Sequence, residues 1–347
     1  MAQCGPPACA PPHTVSTFLT GLNHPWDAAF APDGEFLFTE RVGNVGVYRD
    51  GQVTRFNRPP DVVAQSEGGM LGLAIDPAFA TNRRIYTCYM TVDDVRVVRW
   101  TVSGDWRTLG ERFDVITDIP RTSGRHSGCR PRFGPDGYLW VTTGDAASPV
   151  NPQNGQSLAG KVLRVNTDGQ APADNAGFEW PQIYAYGLRN PQGIAFRPGD
   201  GRPYIVEHGP FCEDEVTPLV VRGNGGWDPV ASGRPGVYNE AVPMTDLAKF
   251  PGAMRPVWSS GCPTIAPSGG TFLTNPRWGD HVGQMALSVL KDQQLRLVDV
   301  SDGVEDAGRA IVTGHGRLRQ AVEGPDGSLY VLVDANPGSV LVVTPQG

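Results

Sequence analysis

One short pattern recurs along the chain and narrows its fold more than any other feature. Its clearest copies are FAPDGEFLFTERVGNVGVYRDG (residues 30 to 51), FGPDGYLWVTTGD (133 to 145) and EGPDGSLYVLVDANPGSVLVV (323 to 343). In each, proline presets the backbone of a tight turn, glycine accepts the left-handed conformation, and an alternating apolar strand follows. Weaker copies are AIDPAFATNRRIYTCYM (74 to 90), FRPGDGRPYIVEHG (196 to 209) and LTNPRWGDHVGQMALSVL (273 to 290). Six hairpins in 347 residues leave roughly 58 residues per unit, somewhat more than the 40 to 50 typical of a four-stranded propeller blade, so the surplus belongs to loops.

A two-domain sandwich would also use many strands, but evenly repeated hairpins favour radial repetition, which protects sheet edges without one very large core. The expected fold is all-β, a six-bladed β-propeller with four-stranded antiparallel blades. It spans residues 22–347 as a single domain behind a partly irregular N-terminal segment, 1–21. The longest spacer, 222–263, lacks helical periodicity and is rich in Gly, Pro and Trp, and reads as an ordered loop crossing one face.

Composition agrees and excludes some functions. The 44 glycines and 32 prolines suit many tight turns. A net charge of −7 with no basic run argues against nucleic acid as a partner. No apolar stretch approaches the ~20 residues of a membrane span, and no secretory leader opens the chain, so a soluble protein with any export signal already removed is expected. Cys4, Cys9, Cys88, Cys129, Cys212 and Cys262 form no CxxC pair, which argues against structural zinc and leaves disulfides or buried free thiols. CGPPAC is able to close as a Cys4–Cys9 loop.

Function in a repeat protein sits where copies depart from their consensus. His126 lies just before one PDG turn and Asp145 follows its strand. A carboxylate beside a histidine can make an oriented general base, and the same pair also suits a structural histidine. Arg189 and Asn190 precede a proline, where an arginine can stabilise a developing oxyanion or hold loop carbonyls. Gly209 and Pro210 precede the acids Glu213, Asp214 and Glu215; a Gly-Pro turn can aim carbonyls at a hard cation such as calcium, although the EF-hand spacing is absent. Lys291, Arg317 and Arg319 come from two late repeats. An RxR step on a strand puts both arginines on one face, suited to a polycarboxylate or phosphate.

These motifs resemble those of the soluble quinoprotein sugar dehydrogenases, the glucose/sorbosone dehydrogenase family, from about Leu22 to the C-terminus. The matching pieces, in family order, are LNHPWDAAFAPDG, TERVG, EGGMLGLAIDPAF, RHSGCRPRFGPDG, TTGD, LAGKVLRVNTDG, YGLRNPQGIAF, EHGP with DE after it, PTIAPSG and GRLRQAVEGPDGSLYVL. The resemblance implies a six-bladed propeller using pyrroloquinoline quinone (PQQ) and calcium to oxidise aldose sugars at C1 to the lactone. His126 would take the C1 hydroxyl proton while hydride passes to the quinone C5, with Asp145 orienting the histidine. Arg189 would stabilise charge on the quinone oxygen, with Asn190 beside it, and the Gly209 and Pro210 carbonyls would hold the calcium.

Lys291, Arg317, Arg319 and Thr264 would bind the PQQ carboxylates. Glu67 and Gln153 fall where the family places further polar contacts, and His208 and Asp214 flank the calcium turn as cofactor neighbours. Cys262 replaces a cofactor-covering aromatic and Arg125 an acidic residue of glucose-oxidising relatives. Cys129 and Cys212 are unusual for the family and are expected to pair as a disulfide between neighbouring blades. Electrons would pass to an external quinone or dye, and the enzyme, a monomer or homodimer, would be periplasmic or secreted. A non-catalytic binding propeller would lack the base and the cationic cradle. A metal-dependent lactonase propeller would have no role for that cradle.

Overall fold

The turns predicted from the repeat form with one geometry. At the PDG of residues 32–34, Ala31 N donates to Glu35 O at 2.8 Å and Gly34 N to Ala31 O at 2.9 Å, with Gly34 at φ 95°. Gly134 and Gly324 make the equivalent pairs of bonds at the other two PDG turns. The aspartate side chain closes each of those two turns, Asp136 Oδ1 accepting from Tyr138 N and Asp326 Oδ1 from Ser328 N.

The computed structural model describes residues 10–231, 234–301 and 307–346. Each turn joins the first two strands of a four-stranded antiparallel sheet, and there are six such sheets. Blade 1 comprises Pro25–Phe30, Phe36–Glu40, Asn44–Arg49 and Gln52–Arg55, and blade 2 comprises Met70–Ile75, Arg84–Met90, Val95–Val102 and Leu109–Ile119. Blade 3 runs through Gly128–Phe133, Leu139–Thr143, Lys161–Val165 and Ile183–Tyr186. Blade 4 is Pro191–Phe196, Pro203–Glu207, Glu215–Pro218 and Trp258–Ser259; blade 5 is Pro267–Phe272, Met285–Val289, Gln294–Val298 and Arg309–Thr313. In blade 6, Leu318–Glu323, Leu329–Val333 and Gly338–Pro345 are completed by His13–Leu22 from the other end of the chain. The first strands of the blades neighbour one another in a closed ring, and the expected six-bladed propeller is the observed fold.

Two boundaries differ from expectation. Residues 13–21, assigned above to a partly irregular segment, belong to the strand that pairs from His13 opposite Pro345 to Leu22 opposite Gly338 and closes the ring. The 222–263 stretch is not only loop: Trp258–Ser259 is the outer strand of blade 4, and Val230–Ala231 pairs with Arg234–Tyr238 in a separate hairpin. No helix among the described residues is long and apolar enough to cross a membrane.

Apolar clusters fill the six blade interfaces, so each blade buries its faces against two neighbours. The disulfides follow these interfaces and correct the expected Cys129–Cys212 pair. Cys129, on the first strand of blade 3, packs toward blade 2 and bonds to Cys88, while Cys212, above blade 4, bonds to Cys262 in the lead to blade 5. No described cysteine is free. Cys4 and Cys9 lie outside the described residues.

The axis is polar. Asp27 of blade 1 is fully buried and meets Arg130 at 2.7 Å and Arg132 at 2.7 Å, both from blade 3, and accepts from Leu73 N of blade 2 at 2.9 Å. Arg130, also fully buried, stacks over Trp26 at 4.2 Å and donates through Nε to Gln192 O of blade 4. The Gln192 side-chain oxygen in turn accepts from Ser268 of blade 5 at 3.0 Å and Arg319 of blade 6 at 2.9 Å. Burial opposes ionisation of Asp27, but Arg130 and Arg132 hold its carboxyl below the usual carboxylate range. Burial brings Arg130 down to about 9 against the pull of Asp27, so both remain charged at neutral pH. Breaking a buried pair leaves an uncompensated charge. Asp27→Asn should therefore lower unfolding free energy by about 3–5 kcal/mol, read as a fall in the denaturation midpoint. A loss below about 1 kcal/mol would mean that the axis does not depend on this ion pair.

Candidate active site

In every blade the PDG-type turn joins the first two strands at one end of the channel. The residues just before a first strand and just after a second strand therefore meet at the opposite end, and most of the predicted site residues occupy those positions. Glu67, His126, Arg189 and Arg317 precede first strands, while Asp145, His208 and Lys291 follow second strands. The turn-side end instead opens into a cavity of about 480 Å³ lined by residues such as Phe30, Phe133 and Phe272, and none of the predicted site residues line it.

His126 is 3 % exposed and adopts φ 54°, a conformation unfavourable for a residue with a side chain. Its carbonyl lies where a Cβ on Gly144 would come within 1.9 Å, which explains the glycine of TTGD. The ring Nδ1 pairs with Asp145 Oδ1 at 2.8 Å, and Nε2 has no hydrogen-bond partner among the described residues. Asp145 is fully buried and its other contacts are all donors: Ala147 N at 2.7 Å on Oδ1, and Trp227 Nε1 at 2.9 Å and Tyr238 OH at 2.7 Å on Oδ2. With only acceptors to offer as an ionised group, Asp145 receives the Nδ1 proton and leaves the Nε2 lone pair available.

Glu67 and Asn190 flank the histidine. Glu67 Oε2 accepts from His126 N at 3.2 Å and from Asn190 Nδ2 at 3.1 Å. Arg189, 5 % exposed, donates to His208 O at 3.0 Å and pairs through Nη2 with Glu240, while its buried Nε has no partner. Glu240 also takes both of its oxygens to Arg125 Nη2, at 2.7 and 2.8 Å, so the unexpected Arg125 has a carboxylate partner. Behind Arg189, Glu207 accepts from the amides of Arg189 and Asn190, and burial, against those donors, pushes its carboxyl up to about 8. Burial, then the charges of Arg189 and Arg319, bring His208 down to about 3; its ring is neutral and the buried Nε2 is unpartnered.

The Gly209–Pro210 turn is curled so tightly that a Cβ on Gly209 would meet Cys212 O at 2.1 Å. Asp214 holds the curl, accepting from Gly209 N at 2.9 Å, Ile265 N at 2.5 Å and Ala266 N at 2.9 Å. Its carboxylate is thus committed to backbone, not free for a cofactor. Neither the Gly209 nor the Pro210 carbonyl accepts a hydrogen bond among the described residues. No cluster of three or more His, Cys, Asp or Glu suited to a metal occurs among those residues, so carbonyl oxygens are what this turn offers a cation.

The cationic cradle divides. Arg317 is exposed and has no side-chain hydrogen bond or ion pair among the described residues, whereas Arg319, two residues on, is buried against Asp334 and Gln192, because the strand bulges between Leu318 and Gln320. The two arginines do not share a face as the RxR spacing predicted. Burial, then the charge of Arg319, with Arg41 adding to it, lowers Arg317, an excess of positive charge that an anion would relieve. Lys291 donates to Thr264 O at 2.6 Å, which puts both of those residues beside the Phe211 loop, since Thr264 N bonds Phe211 O at 2.9 Å. Gln153 turns away from the expected polar contact; its amide exchanges two bonds with Asn224 and a third with Trp227 O, so it supports Trp227.

Sequence reading missed Trp227, Tyr238 and Glu240, which lie inside the stretch read as loop and belong to no repeat. Arg41 and Glu207 sat in the quoted TERVG and EHGP segments, where repetition gave them no distinguishing mark.

The family model for glucose/sorbosone dehydrogenases matches residues 22–342. An aldose sugar dehydrogenase of Escherichia coli is 31% identical over 348 residues, covering 96% of this chain and 93% of its own. The crystal structure of a soluble aldose sugar dehydrogenase from Escherichia coli in the apo form superposes with a TM-score of 0.84 at 31% identity, over 96% of this chain and 100% of that one. The PQQ-bound form of an aldose sugar dehydrogenase from Streptomyces coelicolor gives 0.80 at 28% identity, over 96% and 99%.

Removing the Asp214 carboxylate leaves three backbone amides without their acceptor. Asp214→Ala should cost about 3 kcal/mol of stability in chemical denaturation, the desolvation penalty of unsatisfied buried donors.

Proposed function

The chain belongs to the glucose/sorbosone dehydrogenase family, and from that premise we propose that it is a PQQ- and calcium-dependent dehydrogenase that oxidises aldose sugars at C1 to the lactone. The observation that carries this reading is the His126–Asp145 pair: a buried ring held through Nδ1, with Nε2 unengaged, at the end of the channel that also gathers Arg189 and the cradle.

The residues present fit the implied cofactor. Arg317, crowded by Arg319 and Arg41, together with Lys291 and Thr264, would hold its carboxylates, and the unpartnered nitrogens of Arg189 and His208 are polar groups that a ligand would satisfy. The free Gly209 and Pro210 carbonyls would hold calcium, with Asp214 keeping the turn curled. When bound, PQQ and calcium supply a polarised two-electron acceptor for the hydride from C1. His126 Nε2 takes the proton of the C1 hydroxyl. Asp145 stabilises the imidazolium so formed, and its four donors hold the carboxylate in place while it does so. Arg189 contributes a fixed positive charge toward oxygen that gains electron density, held in place by Glu240 and His208 O. Arg319 acts one layer deeper, in the axis. Glu67 and Asn190 fix the backbone under the base.

Two disulfides support a periplasmic or secreted setting, and an external quinone or dye would take the electrons onward. Arg125, paired with Glu240, and Cys262, in its disulfide, are the departures from glucose-oxidising relatives and support a broad aldose range.

Adding PQQ and calcium to purified apoprotein should give dye reduction with a panel of aldoses, lost again on chelation of calcium. His126→Ala should lower kcat by about 10³-fold, within the range of a lost general base. No turnover by wild type, or full turnover by the variant, would remove the mechanism; hydrolysis of a lactone without PQQ would point to a lactonase-type propeller instead.

A further inference from the structure

The hairpin that leaves blade 4 has no counterpart in the other blades among the described residues, yet it ends on the proposed base. Asp228, at its start, is paired with Lys249, and Trp227 just before it is fully buried and held by Gln153. Glu240, at its far end, is clamped by Arg125 and Arg189. Between these anchors the strand Arg234–Tyr238 delivers Tyr238, whose hydroxyl lies 2.7 Å from Asp145 Oδ2 and 3.3 Å from His126 Nδ1, with Arg125 stacked over the ring at 5.9 Å.

We propose that Tyr238 is a positioning residue that locks the Asp145 carboxylate, and through it the His126 ring, in the orientation and tautomer that leave Nε2 free to accept a proton. The inference rests on the reading of His126 as the base. The physical argument is rotational. Asp145 Oδ1 is shared by Ala147 N and His126 Nδ1, and this alone leaves the carboxylate free to pivot about that oxygen. Two donors on Oδ2 from different directions, the Trp227 indole and the Tyr238 hydroxyl, stop the pivot. Burial, then the charge of Asp145, raise the phenol above its ordinary value, so Tyr238 stays protonated and acts as the donor. A carboxylate that turned would also lose its hold on the Nδ1 proton, and the ring could then place its proton on Nε2, the atom that must be bare.

Two measurements on Tyr238→Phe test this. In apoprotein labelled with ¹⁵N-histidine, with the His126 signals assigned by His126→Gln, wild type should show the Nδ1-H tautomer alone and Tyr238→Phe a mixture with Nε2-H. In the PQQ-loaded enzyme the variant should lose about tenfold in kcat with KM within about twofold, and lose less than about twofold when introduced into Asp145→Asn, since the two residues act as one unit. An unchanged denaturation midpoint should accompany both results. An unaltered tautomer in Tyr238→Phe, or the same tenfold loss in the Asp145→Asn background, overturns the assignment. Absence of turnover in wild type would instead count against the proposed function, and the tautomer alone would then decide the role of Tyr238.

Discussion

The structure depends first on a charge that has nowhere to go. Asp27 and Arg130 are both inaccessible to water and 2.7 Å apart on the propeller axis, and neither could remain ionised there without the other. Around them run Leu73 N, Arg132, Gln192, Ser268 and Arg319, so that each of the six blades contributes to one connected polar network. Apolar packing between blades is non-directional and would tolerate small rotations. A buried network of directional bonds is less forgiving, because a shifted blade would strand a charge. The network therefore sets the relative rotation of the blades, and with it the positions of the side chains at the channel end above.

That end is built in layers. Asp334 receives Arg319 from the axis and His24 Nδ1 at 2.8 Å, and the paired arginine and histidine hold its carboxyl down to about 2 although burial opposes them. Above it, backbone groups of Arg189, Asn190, Gly209 and Ala266 are pinned by Glu207 and Asp214, and the Cys212–Cys262 disulfide ties the two loops together. Over that support, Arg317, Lys291 and Thr264 join the unpartnered nitrogens of Arg189 and His208 and the open Gly209 and Pro210 carbonyls as polar groups within reach of a ligand. Rigid support beneath and unmatched charge at the surface are what a site for an anionic cofactor requires.

Much of this was legible in the chain. A PDG turn specifies a hairpin by local chemistry alone, so six copies could be counted without coordinates and the propeller inferred. His126 and Asp145 stood out because they broke the repeat. Other residues misled because their surroundings are set by distant chain: Arg319 reads like Arg317 until a bulge turns it inward, and Asp214 reads like a ligand until three amides claim it. Cysteine pairing was illegible for the same reason, since Cys88 is 41 residues from Cys129 and meets it only across a blade interface.

The amino-acid sequence by itself determined the repeat, most strand and turn positions, and the presence of a histidine with a carboxylate after the same turn, a cationic set and a Gly-Pro turn. Each of these follows from interactions between residues close in the chain. Tertiary structure alone decided which cations face outward, how the thiols pair, that His13–Leu22 closes the ring, and that Trp227, Tyr238 and Glu240 return from an irregular excursion to the His126–Asp145 pair. Those outcomes depend on contacts between segments up to hundreds of residues apart, and the closing of the ring, not any local preference, brings such segments together.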